Sequence, residues 1–138
     1  MSTGGSANGA IVFLGRLFLA LIFLISGPSN FTGGAIGYAA SQGVPLASLA
    51  VPVSGILAIV GGLSILVGYR AKAGAWLLVA FLVPVTLMMH KFWTISDPAA
   101  AQAQMYNFLK NVAMLGGALV ITQFGAGPWS MDARRGKG

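Results

Sequence analysis

The chain has 138 residues, of which 57% are hydrophobic and only 7% are charged, with a mean hydropathy of +0.84. Ordinary soluble domains have about 25% charged residues, so this composition excludes a water-soluble monomer. Eight Lys and Arg stand against Asp97 and Asp132 and give a net charge of +6, but they lie singly or in pairs at the ends of apolar runs. This placement is typical of a membrane protein and argues against nucleic acid as a partner.

The first apolar run covers about residues 10–27 and stops at Gly27 and Pro28. Arg16 lies inside this run and no positive residue precedes it, so we expect a retained membrane span and not a cleaved signal peptide. Residues 28–48 carry no charge and contain four glycines and Pro45. This composition predicts a Gly-rich loop, or a short interfacial helix over residues 35–42.

Three further spans are predicted at about residues 49–68, 73–90 and 107–124. Pro52 is tolerated in the first turn of the second span, whereas Pro84 predicts a kink inside the third. The fourth follows a turn at Asp97 and Pro98 and a helical stretch of Ala and Gln. In the second span, small residues recur every four positions and indicate a helix-packing face and not a ligand site: Ala50, Ser54, Ala58 and Gly62.

These segments predict an all-α fold, a single integral membrane domain over residues 1–138 built as a four-helix bundle, with a short tail at 125–138. Positive residues near span ends are retained in the cytoplasm. Five positive residues lie between spans two and three or after span four: Arg70, Lys72, Arg134, Arg135 and Lys137. Only two lie on the other side, Lys91 and Lys110. We therefore expect both termini on the cytoplasmic face of the inner membrane.

Arg16 is an ionisable side chain about 9 Å along the first span and needs a partner. Asp132 is the one carboxylate on the same side of the membrane, so docking of the tail would form a charge clasp between Arg16 and Asp132. The alternatives are an anionic or carbonyl-bearing ligand, and simple snorkelling of the guanidinium to the surface.

A second polar cluster is predicted at the outer end, where spans three and four meet. It could bind a quinone carbonyl or another oxygen-rich head group, or it could be an interfacial belt of aromatic and basic residues. Its members are His90, Lys91, Trp93, Asn107, Lys110 and Asn111. His90 is the first candidate for proton transfer, although no catalytic residue is assigned. With no cysteine and no intramembrane carboxylate, we expect no metal site; haem held by His90 and Met114 is a minor alternative.

In order along the chain, several short motifs resemble those of the DoxX family of four-span membrane proteins, related to the DoxD subunit of thiosulfate:quinone oxidoreductase. The resemblance covers about residues 14–132. It rests on Gly15-Arg16, Ser26-Gly27, Tyr38 with Gly43-Val44-Pro45, Arg70, His90-Lys91-Phe92-Trp93, the segment from Asn107 to Asn111, Gly116-Gly117 and the segment from Gly125 to Asp132. Asn30 departs from the lysine that the family often has at this position.

The resemblance implies a small subunit of a membrane redox complex that binds a quinone or a partner subunit, with no covalently bound cofactor. Other membrane subunits or further copies of the chain are the implied partners, besides the lipid bilayer. Two alternatives remain open: a non-catalytic scaffold subunit, and a small-molecule transporter, which the Pro84 break and the Gly-rich loop would suit.

Overall fold

A computed structural model describes residues 3–136, and every regular element in that range is helical. The helices are α1 (Thr3–Ser26), α2 (Gly33–Ser41), α3 (Ala47–Val67), α4 (Ala71–Met89), α5 (Pro98–Phe124) and α6 (Met131–Arg134). Two 3₁₀ turns, Gly27–Phe31 and Phe92–Thr94, follow α1 and α4.

Local sequence explains where most of these helices begin and end. Pro28 stops α1 as predicted and opens the 3₁₀ turn. The Thr32 hydroxyl accepts a hydrogen bond from the Ala35 amide at 3.2 Å and caps α2, which confirms the alternative of a short helix in the Gly-rich segment. Helix α4 continues through Pro84, so this proline does not end the helix at the position where a kink was predicted.

Three helical segments are long and apolar enough to cross a membrane: Gly5–Phe31, Ala47–Val67 and Ala71–Thr94. The predicted fourth span lies within α5, where Asn107, Lys110 and Asn111 interrupt the apolar sequence. The described residues therefore confirm an all-helical membrane domain with three candidate spans, and they do not confirm a four-span bundle.

The long helices pack in the order α1, α3, α4, α5, so that α3 and α4 are the central pair. Their core is formed by Phe23, Ala58, Ile65, Ala75, Leu78, Leu82 and Ala118. A Cβ added at Gly61 would lie 2.9 Å from the Gly74 carbonyl oxygen, because α3 and α4 pack there almost backbone to backbone.

Large apolar side chains cover the outside of this arrangement. Phe18, Ile25 and Phe124 are 65%, 74% and 78% exposed, which would be costly in water and is favourable against lipid. The exposed surface and the buried Gly and Ala contacts together are those of a helical protein packed within a bilayer.

Candidate functional site

A cavity of about 340 Å³ lies between the first 3₁₀ turn, α2, α3 and the second half of α4. This volume is within the range of about 300–1,000 Å³ that ligand pockets occupy. Most of its wall is apolar, and four polar side chains interrupt it: Asn30, Tyr38, Ser54 and His90. The cavity can therefore take an apolar group that carries hydrogen-bonding atoms.

Asn30 and Ser54 form one polar corner of the cavity. The Asn30 amide donates to the Ser54 hydroxyl at 3.0 Å, and that hydroxyl donates to the Val51 carbonyl at 2.6 Å. Within residues 3–136 the amide oxygen of Asn30 accepts no hydrogen bond, so it can accept one from a ligand.

His90 forms the second polar corner, at the end of α4. Its Nδ1 lies 2.8 Å from Oε1 of Gln104 on α5. An amide oxygen only accepts hydrogen bonds, so Nδ1 carries the proton and Nε2 of the neutral ring is an acceptor. The contact fixes the plane of the imidazole at the cavity wall.

Lys91 secures the segment that covers the cavity. Its ammonium donates to the Gln42 carbonyl at 3.0 Å, immediately after α2. Tyr38, Ala39 and Val44 line the cavity on this side, so α2 and the residues up to Val44 form its cover. The Lys91 contact joins this cover to the end of α4.

The structure brings together only part of the predicted outer cluster. His90 lines the cavity and Lys91 holds its cover, but Trp93, Asn107, Lys110 and Asn111 lie outside the cavity wall. Trp93 packs edge to face on Phe108 at 6.0 Å and is 56% exposed, and Lys110 is exposed on α5. Asn107 and Asn111 are half-buried on α5, an element that contributes no residue to the cavity wall.

Apart from His90, none of the residues that line the cavity was predicted as a site residue from sequence, and the unpredicted ones include Asn30, Tyr38, Ser54 and Phe81. Ala50 and Ser54 were interpreted as a packing face, yet they are half-buried and line the cavity, whereas Ala58 and Gly62 of the same stripe are buried in helix contacts. The signal that could have found them is the uncharged Gly-rich segment, which forms α2 and covers one side of the cavity.

At the opposite end of the protein, the Arg16 side chain is 3% exposed within α1. Its Nη1 donates to the Ile65 and Leu66 carbonyls at 3.3 and 3.4 Å, and its Nη2 donates to the Trp129 carbonyl. Its Nε is enclosed without a partner among residues 3–136. Arg16 therefore joins α1 to the end of α3 and to the C-terminal segment through backbone oxygens.

Asp132 is also buried, and its carboxylate binds the start of α4. Its two oxygens accept from the amides of Arg70 at 2.8 Å and Ala71 at 2.9 Å, and its own amide donates to the Gly68 carbonyl at 2.8 Å. A carboxylate at these amides satisfies donors that the first turn of a helix leaves free.

The structure does not place Arg16 and Asp132 in a direct charge clasp. In the described part of the chain the C-terminal segment docks on the helices, but the Arg16 side chain bonds only to carbonyls and the Asp132 carboxylate only to amides. The physical reason is that helix ends expose free carbonyls and amides, and each charged side chain bonds to the helix end nearest to it. The contacts of Asp132 also show that residues 125–136 are a docked segment and not a free tail.

Tyr69 lies beside this docked segment, between α3 and α4. The guanidinium carbons of Arg135 and Arg70 lie 5.2 and 5.8 Å from the centre of its ring. The positively charged guanidinium groups of Arg135 and Arg70 stabilise the phenolate and so lower the pKa of the Tyr69 phenol.

Metal binding finds no support in the described residues, where no three His, Asp or Glu side chains come together. The haem alternative also lacks support, because Met114 packs against the hydrophobic core and does not line the cavity with His90. The expectation that no cofactor is covalently bound stays a prediction.

The fold and these sites define a multi-pass helical membrane protein with a half-open apolar cavity at one end. A family model described as the SURF4 family matches residues 46–137, and the chain belongs to this family. No solved structure matches the chain.

Two Escherichia coli proteins are similar over most of their length. The inner membrane protein YphA is 28% identical over 132 residues, 94% of each chain, and the inner membrane protein YqjF is 27% identical over 88% of each chain. The ER-derived vesicles protein ERV29 of Saccharomyces cerevisiae is 23% identical over 97% of this chain, which spans 36% of the length of ERV29.

The assignment to the DoxX family is therefore wrong, and with it the interpretation as a quinone-binding redox subunit. The motifs that suggested it are small residues at helix contacts, cations at helix ends and aromatic residues near the membrane surface. Many small helical membrane proteins need the same features, so their order along the chain does not specify one family.

Proposed function

We propose that the protein is a non-enzymatic receptor of the inner membrane, which binds an apolar segment of a client polypeptide in the cavity between α2, α3 and α4. The observation that carries the proposal is the cavity itself, with an apolar wall and hydrogen-bonding groups at two corners. The names of YphA and YqjF support the inner membrane as the location, and the name of ERV29 supports a role in membrane traffic.

The chemistry of the cavity favours a polypeptide over a lipid chain. Peptide groups can bond to the Asn30 amide oxygen and to Nε2 of His90, whereas a hydrocarbon chain would leave these groups without partners at a cost in free energy. Met88 and Met89 in the wall can adapt to different apolar side chains.

The lining also favours binding over catalysis. The chain has only two carboxylates, Asp97 and Asp132, and neither lines the cavity. His90 is the only histidine in the sequence, and no carboxylate lies beside it in the cavity wall.

Site-directed photo-crosslinking tests this function. A photoreactive amino acid at Val85, in the cavity wall, should give adducts with polypeptides in living cells, and Ser54→Phe should remove them by filling the cavity. The same amino acid at Val60, which is 48% exposed on α3 and outside the cavity, is the control. Adducts with lipid alone at Val85, or equal yields at both positions, would contradict the proposal.

We further propose that α5 crosses the membrane and that both termini are cytoplasmic. Its 27 residues would span about 40 Å, enough for a bilayer, and the excess of Lys and Arg at the end near Arg70 supports the orientation. Cysteine at Ser96 should then react with an impermeant reagent from outside, and cysteine at Gly136 should not. The opposite labelling would reverse the orientation, and labelling of both would remove α5 as a crossing.

A further inference from the structure

We infer that Arg70 and Arg135, whose guanidinium groups both lie near the Tyr69 ring, form a binding site for a phosphate group, presented by an anionic phospholipid or free in solution. The two arginines are 65 positions apart in the chain, yet both guanidinium groups lie within 6 Å of the centre of one aromatic ring.

The docked C-terminal segment creates this arrangement. The buried Asp132 carboxylate accepts from the Arg70 amide, so the residue three positions before Arg135 is bonded to the backbone of Arg70. The backbone of both arginines is therefore held in place. Their side chains stay exposed and can turn toward one ligand.

The protein supplies no acidic side chain to pair with Arg70 or Arg135. Asp132 and Asp97 are the only acidic side chains in the sequence. The Asp132 carboxylate is buried against the amides of Arg70 and Ala71, and that of Asp97 accepts from the Ala100 amide at the start of α5. Neither is left to neutralise Arg70 or Arg135, and Lys72 and Arg134 add two more positive charges nearby.

Phosphate fits this pair better than other anions that a membrane surface offers. A guanidinium presents two parallel N–H groups that match two phosphate oxygens, and two guanidinium groups can share one phosphodiester. Tyr69 is 37% exposed between α3 and α4, at the level where a span ends and lipid head groups begin.

Native mass spectrometry of the purified full chain tests the site. With equal amounts of phosphatidylglycerol and phosphatidylcholine, we expect the wild type to retain phosphatidylglycerol preferentially. Arg70→Gln with Arg135→Gln should weaken this retention about fivefold for each guanidinium removed. Lys72→Gln with Arg134→Gln removes the same charge at the same end but leaves both arginines at Tyr69, and should have a smaller effect.

A second arm separates the two sources of phosphate. Millimolar inorganic phosphate, without added lipid, should raise the melting temperature of the wild type and not of the Arg70 and Arg135 variant if free phosphate is the ligand. Equal losses in the two double variants, or no preference for phosphatidylglycerol together with no response to phosphate, would overturn the site. If the double variant unfolds, the exposed Arg135→Gln alone gives the same comparison against Arg134→Gln.

Discussion

Gly68 makes room for the Arg16 guanidinium at the end of α3. It has φ +69°, and a Cβ at this position would overlap Nη1 of Arg16 and Cβ of Ser130. Both the backbone conformation and the space therefore require glycine. The same residue supplies the carbonyl that accepts from the Asp132 amide, so one glycine brings the helix end, the buried cation and the docked segment together.

Gly68→Ala should destabilise the protein by about 3 kcal/mol, because it adds left-handed backbone strain to a steric overlap with a buried side chain. Thermal unfolding in one detergent measures the effect. Gly116→Ala is the matched control, since a Cβ there meets nothing within 4 Å, and it should leave the melting temperature unchanged or raise it. Equal effects at the two positions would show that the space around Gly68 is not filled.

Arg16→Met should lower the free energy of unfolding by about 3 kcal/mol, because three hydrogen bonds to carbonyls are lost. Asp132→Asn should lower it by about 1 to 2 kcal/mol, because the hydrogen bonds to two amides become weaker. Because the two side chains bond to different groups, the double variant should be less stable than either single variant. Thermal unfolding of the two single variants and the double variant in the same detergent measures these effects. A double variant no worse than Arg16→Met would instead indicate a direct ion pair.

At the scale of the helices, the sequence predicts where apolar stretches lie better than where helices begin. Helix α3 starts at Ala47, two residues before the predicted start, which moves Pro52 out of the first turn. Helix α5 starts nine residues before the predicted span, at the turn and helical Ala and Gln stretch that the sequence did predict. Hydropathy reports the part of a helix that contacts lipid, whereas caps and helix propensity set its ends.

Asp97 is the clearest such cap, since its carboxylate accepts from the Ala100 amide at 2.9 Å and Pro98 follows it. Asp97→Ala should destabilise the first turn of α5 by about 1 kcal/mol. Faster amide exchange at residues 100–102 would show the loss. Ser96→Ala removes a neighbouring polar side chain outside the cap and should leave exchange there unaltered; a similar increase in both variants would contradict the assignment of the cap.

For the whole molecule, the sequence suggested docking of the tail as one of three alternatives for Arg16, and a cluster at His90 that was either a head-group pocket or an interfacial belt. It did not predict the cavity, because the wall combines a 3₁₀ turn, a short helix and two long helices whose register depends on packing. Asn30 and Ser54 are 24 positions apart, and only the close approach of the first 3₁₀ turn to α3 brings them into contact. Periodicity within one helix carries no information about such a contact.

Lys91→Met should loosen the cover of the cavity, since the ammonium contact to the Gln42 carbonyl joins the end of α2 to the end of α4. We expect faster amide exchange over residues 36–44, with the rest of the bundle unchanged. Lys110→Met removes an exposed lysine on α5 and is the control. Unaltered exchange in the Lys91 variant would mean that the contact does not restrain the cover.

The bond between Arg16 and Trp129 joins positions 113 residues apart, and this separation sets the order of events during synthesis. At the usual speed of translation, on the order of 10 s passes between the two residues. Throughout that interval α1 contains a guanidinium whose third carbonyl partner has not been made. The newly made α1 therefore depends on water, lipid head groups or the insertion machinery to solvate Arg16, and its contacts are completed only when Trp129 has been made.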